Sequence, residues 1–204
     1  METIRRVISF EKPDNLVMLG DNIELERFSD HKEAYATFYK KLDGIFPIKK
    51  SIILLGDNDY QYSSDKSISN IIISYTPMNL KTGELIFFSK GNMHFFHGNL
   101  EKSKFIERLG YYFVKTANSI DYNIAPNMMA FIARKWFRIR KEDYLFLGHL
   151  HYLGIHSKSI FCGTLNHEFM PFPNSLGYVT LMHNNFRVLP KSIRIIRIQT
   201  NRAR

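Results

Sequence analysis

Leu145-Phe146-Leu147-Gly148-His149-Leu150-His151 is the stretch on which the reading of the fold turns. Three apolar residues run into a glycine, and two histidines follow with one residue between them. Residues 144–147 are β-formers, and the charges of residues 138–143 stop just before them, so the run reads as a buried parallel strand. Beyond the strand's C-terminal end the backbone must turn, and Gly148 permits a close approach there. Ligands of open α/β sheets bind at that end, where two imidazoles can grip one or two metal ions. An isolated His-x-His is more often a pair of ordinary surface histidines. Its weight here comes from other ligand types that recur in the same context.

Toward the N-terminus the same pattern appears twice. A short helix over residues 4–10, ended by Lys12-Pro13, leads to an apolar strand over residues 16–19, closed by Gly20-Asp21. Ser29 or Asp30 caps the next helix, with Glu33 placed to complete a capping box from Asp30. That helix stops near Gly44, and Pro47 reinforces the break. Residues 51–55 then form a second strand, which ends in Gly56-Asp57-Asn58-Asp59. Strand, glycine and aspartate thus recur at one relative place, and strands alternating with helices indicate an α/β sheet.

Residues 70–75 and 84–88 read as two strands around the turn Lys81-Thr82-Gly83, followed by the β-rich run 93–99. Side chains alternate along a strand, so His94 and His97 are expected on opposite faces, with His97 functional and His94 packing or surface. From about residue 100 to 142 the pattern is a helical insertion. Phe105, Leu109, Tyr112 and Phe113 are spaced for one buried face, and Met128, Met129, Phe131, Ile132 and Trp136 for another, with a break at residues 123–126. After the central motif, residues 159–165 form a strand and turn. Residues 177–182 and 186–189 make a hairpin across His183-Asn184-Asn185, and Arg194, Arg197, Arg202 and Arg204 close the chain as a basic tail.

The chain has 204 residues, 45% of them hydrophobic, which fits one domain over 1–204 with a substantial core. A lone cysteine, Cys162, excludes an internal disulfide framework and fits a small buried hydrophobe better than a nucleophile. The first residues lack a secretory apolar region, and no apolar run has the length of a membrane span, so the expected compartment is cytoplasmic. The net charge of +9 implies attraction to phosphates, whether of nucleotide, nucleic acid or lipid headgroup.

The order Gly20-Asp21-x-x-Glu24, Gly56-Asp57-Asn58-Asp59, His97-Gly98, Gly148-His149-x-His151 and Cys162-Gly163-Thr164, followed by a terminal hairpin, resembles the calcineurin-like metallophosphoesterases. The resemblance covers nearly the whole chain in the family's order. It implies a β-sandwich flanked by helices, with one or two divalent ions (Mn, Fe, Zn or similar) held at the strand ends. Asp21 would bridge the ions, Asp57, His97 and His149 would complete one site, and His151 would serve the other. The implied reaction is hydrolysis of a phosphomonoester, phosphodiester or pyrophosphate bond by a metal-activated hydroxide.

Two departures accompany the resemblance. The family's opening strand, ending in Asp-x-His, has no counterpart ahead of Leu16. In the family's Gly-Asn-His-Asp, the ligand asparagine and catalytic histidine are here Asp57 and Asn58. Asn58 and Asp59 are therefore the catalytic candidates by position, yet an asparagine cannot protonate a leaving group as an imidazolium can. The alternative functions are a catalytically inactive scaffold of the same fold, or a nucleic-acid-binding protein. The latter would use the basic stretch Arg134, Lys135, Arg138, Arg140 and Lys141, interleaved with Trp136 and Phe137. A missing first strand also implies an open sheet edge, which a homodimer or another partner would cover. His31, His156, His167 and His183 are expected to be surface or packing residues.

Overall fold

A computed structural model describes residues 1–22, 29–56, 87–98, 112–117, 119–165 and 175–198. It is a mixed α/β protein whose described strands form no closed barrel. No helix among the described residues is long and apolar enough to cross a membrane. The chain falls into two compact units, Met1–Phe88 and Ser89–Arg204.

The first unit opens with α1 (Glu2–Glu11), on which Glu2 pairs with Arg5 and Arg6 one turn on. Lys12 ends the helix in the left-handed conformation at φ 47°, its N–H donating to the Ile8 carbonyl, and Pro13 prevents continuation. Strands β1 (Leu16–Leu19) and β2 (Ser51–Leu54) pair in parallel, Leu16 opposite Ser51. Parallel neighbours need a crossover, supplied by α2 (His31–Asp43). Asp30 caps α2 by accepting the Glu33 N–H at 3.0 Å. Ala34, Tyr35, Phe38, Tyr39 and Leu42 recur at helical spacing and are buried. The helix ends at Gly44, and the Asp43 carboxylate accepts the Ile48 N–H at 2.9 Å beyond it.

The second unit is built on a five-stranded mixed sheet. In chain order its strands are β3 (Phe87–Lys90), β4 (Met93–Phe96), β5 (Tyr144–Leu147), β6 (Leu153–His156) and β7 (Ser159–Cys162), and across the sheet they run β3-β4-β5-β7-β6. The unit boundary falls within β3. Strands β4, β5 and β7 are parallel, and β6 returns antiparallel to β7 at the edge. The central strands carry continuous apolar runs, as buried parallel strands do. Phe95 stacks on Phe146 with centroids 4.9 Å apart, and Leu145, Leu147, Ile160 and Phe161 are fully buried.

Sequence reading overlooked β6 because it is separated from β7 by only Ser157-Lys158, with Ser157 in the left-handed region at φ 56°. It also paired the last strands incorrectly. Strand β8 (Gly177–Thr180) is antiparallel to β11 (Arg194–Arg197), so residues 194–197 of the basic tail form a strand. The terminal hairpin is the shorter pair β9 (His183–Asn184) and β10 (Arg187–Val188). Its turn is Asn185-Phe186, both at positive φ, the two-residue form that suits strand twist.

The helical insertion is present where described, at residues 112–117 and 119–120 and in α3 (Ile124–Trp136). The break lies earlier than expected. Asp121 accepts the Asn123 N–H at 2.8 Å, while Pro126 sits in the first turn of α3, where a missing N–H costs no helical bond. The expected buried faces are also corrected. α3 buries Ala125, Pro126, Ala130 and Ala133, whereas Met128, Phe131, Ile132 and Trp136 are exposed, as are Tyr112 and Phe113. Helical periodicity identifies a face but not which side of it packs, and small residues allow a closer approach. The expected strands at 70–75 and 84–86, with Phe105, Leu109 and His167, lie outside the described residues.

Candidate metal centre

In the second unit, two loops leave the C-terminal ends of adjacent parallel strands. His97 follows β4 directly, and His149 follows β5 across Gly148. The Gly148 N–H donates to the carbonyls of Phe96 and His97, at 3.2 and 2.9 Å, which ties the two strand ends together. His97 is 3% exposed and His149 is half-buried. Their rings meet edge to face, with His97 Nε2 3.3 Å from His149 Nδ1.

The backbone accommodates this pair at a cost. His149 and His151 adopt φ of 57° and 51°, values uncommon for residues with a Cβ. Gly98 has φ 126°, and a Cβ there would stand 2.8 Å from the His149 Cβ and press on the Met129 methyl. Only glycine leaves room for the His149 Cβ and the Met129 methyl at that turn. The second histidine of the motif, His151, lies at the same sheet end, half-buried.

The first unit prepares a carboxylate by a similar device. Asp21 follows β1 with φ 50°, and Gly56 follows β2 so closely that a Cβ on it would strike the Asp21 carboxylate and amide. Asn22 donates from its side chain to the Leu54 carbonyl at 3.0 Å, pinning the Asp21 loop to β2. The Gly-Asp signals at 20–21 and 56–57 thus mark neighbouring strand ends. Asp57, Asn58 and Asp59 lie outside the described residues.

Two nitrogens each bound about 2.0–2.1 Å from one tetrahedral ion stand about 3.3 Å apart. The His97–His149 separation meets that requirement. Within the second unit, His97 and His149 each offer one imidazole nitrogen to a metal ion. These donors suit zinc, manganese and iron, with geometry and availability deciding among them.

Beside the motif, Tyr152 folds back over Gly154. A Cβ there would meet its ring carbons and hydroxyl, the latter two nearest approaches at 3.0 Å. The Tyr152 hydroxyl donates to Asn123 Oδ1 at 3.1 Å and lies 3.0 Å from His156 Nε2. Burial pushes the Tyr152 phenol up, against the pull of Arg197, and pushes His156 down, against Asp121. Tyr152 therefore holds its proton at neutral pH. Nothing in the sequence spacing betrays the pairing of Tyr152 with His156, a partner four residues along the chain on an edge strand. His156 and His183 are packing residues as expected, against Phe161 and Phe186 respectively. The side chain of His31 is outside the description. Burial raises the Cys162 thiol to about 12, so it stays protonated and unreactive.

The basic stretch is partly committed to the fold. Arg134 donates to Ser159 Oγ and to the carbonyls of Arg140, Asp143 and Lys158. Phe137 packs edge-on against Phe96 at 4.9 Å, and Arg140 binds both oxygens of Asp143. Comparison with protein-family models, with curated proteins and with solved structures returned no match for this chain.

Proposed function

We propose that the chain is a divalent-metal-dependent phosphoesterase in which His97 and His149 are metal ligands. In this reading Asp21, Asp57 and His151 complete the ligand set, and the domain follows the helix-flanked β-sandwich plan of the calcineurin-like enzymes. The 3.3 Å approach of the two imidazole nitrogens at the C-terminal ends of parallel strands carries the proposal. Supporting it is the sequence order of glycine, aspartate and histidine signals at successive strand ends. A divalent ion bound there supplies charge neutralisation for a phosphoryl group and acidity for water. The chain's own part is to hold imidazoles and carboxylates in place, with Gly98 and Gly148 letting the two histidine loops approach.

Metal analysis and a generic phosphodiester assay test the reading. Wild-type protein is expected to take up one or two manganese ions and to cleave bis(p-nitrophenyl) phosphate. His149→Ala should weaken metal affinity by at least about tenfold, since even outer partners of ligands are worth that much, and reduce cleavage to background. Absence of turnover with every divalent metal tried would refute the enzymatic reading. Metal uptake without turnover would leave an inactive scaffold, the alternative that Asn58 favours by standing where the family has histidine. The nucleic-acid reading is weakened by the internal bonds of Arg134 and Arg140 and the packing of Phe137.

A further inference from the structure

The outward face of α3 is apolar. Ile124, Met128, Phe131, Ile132 and Trp136 are all exposed, Phe131 by 62% and Trp136 by 67%. Their spacing puts them on one side of the helix, opposite the buried Ala130 and Ala133. Ile120, 76% exposed, with Tyr112, Phe113 and Tyr122, adds further apolar surface from the residues just before. A contiguous apolar surface of this kind marks an interaction site, whereas scattered exposed hydrophobics do not.

Charge selects the occupant. Lys135 lies on this stripe with its Nζ 5.8 Å from the centre of the Phe131 ring, and Arg138 and Lys141 are exposed just beyond Trp136. The nearby acidic Glu142 is paired with Arg140 at 3.4 Å. A second copy of a chain with net charge +9 would bring like charges together. Single-stranded nucleic acid matches only part of the surface, because Ile120, Met128 and Ile132 offer no plane on which a base can stack. A negatively charged bilayer matches the whole α3 face. Aliphatic and aromatic side chains enter the acyl boundary, Trp136 sits at headgroup level, and the cations meet lipid phosphates. Lys135 beside Phe131 can extend its stem over the ring and keep its ammonium in the headgroups.

We propose that the exposed face of α3 docks on the surface of an anionic lipid bilayer. Trp136 is the only tryptophan in the chain, so its emission reports contact directly. Vesicles of phosphatidylglycerol and phosphatidylcholine, titrated into the full chain, should shift that emission to the blue. Brominated acyl chains should quench it, and pure phosphatidylcholine should do far less. Phe131→Asp should lower partitioning by about tenfold or more, and the double change Lys135→Glu with Lys141→Glu by at least as much, in line with about 1 kcal/mol per cation near the surface. All three positions are solvent-facing, so circular dichroism should stay native. The proposal is overturned if neither vesicle shifts the emission, or if Phe131→Asp binds as well as wild type. Quenching by a single-stranded oligonucleotide without vesicle binding would also overturn it, in favour of nucleic acid. A dimer abolished by Phe131→Asp, again without vesicle binding, would overturn it in favour of a second copy.

Discussion

Strand β4 carries or leads into two histidines three residues apart, and the two stand in opposite surroundings. His94, near the strand's beginning, lies 2.9 Å from Ser89 Oγ through Nδ1 and 3.3 Å from Asp143 Oδ2 through Nε2. Asp143 in turn accepts two bonds from Arg140, and Arg134 caps the carbonyls of Asp143 and Lys158, next to the starts of β5 and β7. This end of the sheet is a closed network in which a buried carboxylate has its guanidinium and imidazole partners and the backbone has its donors. His97, at the strand's other end, faces a second imidazole and is followed by left-handed backbone at Gly98, with more at His149 and His151. Strained backbone is kept where a side chain must be aimed. The contrast separates a histidine bonded to a serine and a carboxylate from one whose ring meets a second imidazole beside strained backbone.

The largest effect that would break this contrast is expected at Arg134. Replacing it with methionine keeps the apolar stem but removes the donors to three carbonyls and Ser159 Oγ. Leaving several acceptors unsatisfied should cost about 2–4 kcal/mol, read as a lower urea midpoint, with manganese uptake by the folded protein unchanged. Loss of metal uptake by the folded variant would mean that the two sheet ends are not independent. Gly98→Ala should show the reverse balance. The strained φ and the contact with His149 should cost about 1–3 kcal/mol. Metal affinity should fall by more than that stability loss accounts for, because the added methyl displaces His149, a ligand in the proposed reading. Unchanged affinity in a folded Gly98→Ala protein would show that His149 does not need its present place.

Much of this division was legible in the sequence, and the reasons differ by residue. The sequence pointed to a close loop approach at Gly148 alone; the structure shows the demand at Gly56 and Gly98 as well, where a Cβ would strike Asp21 or Met129 and His149, partners that no local pattern names. Asp30 and Glu33 announced the start of α2 because capping is local chemistry. His94 was separated from His97 by strand alternation alone, and His94 is the one tied into the fold. Its partner Asp143 lies 49 residues away and has no local signature. The exposed side of α3 was misassigned for a similar reason: a 3.6-residue period is the same whichever face meets the sheet. The role of Arg134 was hidden because a basic run in sequence looks solvated until its carbonyl partners come from distant strand ends.

The smallest effect concerns pH and sharpens the contrast without disturbing either end. Burial works to raise the Asp143 pKa, but hydrogen bonds from Arg140 and His94, and the charges of both, outweigh it and hold the carboxyl below its ordinary 3.8. A carboxylate depressed in the folded state binds protons less readily there than in the unfolded chain. Its stabilising contribution is therefore complete above the unfolded value and is lost as pH falls below about 3.8 through the folded value. The urea midpoint should accordingly drop on acidification below pH 4, and Asp143→Asn should flatten that part of the profile while lowering the midpoint at neutral pH. A variant that kept the full acid-dependent drop would place its origin in other carboxylates. Asp143 would then be a packed acceptor for Arg140 and His94, with no titrating role in the network.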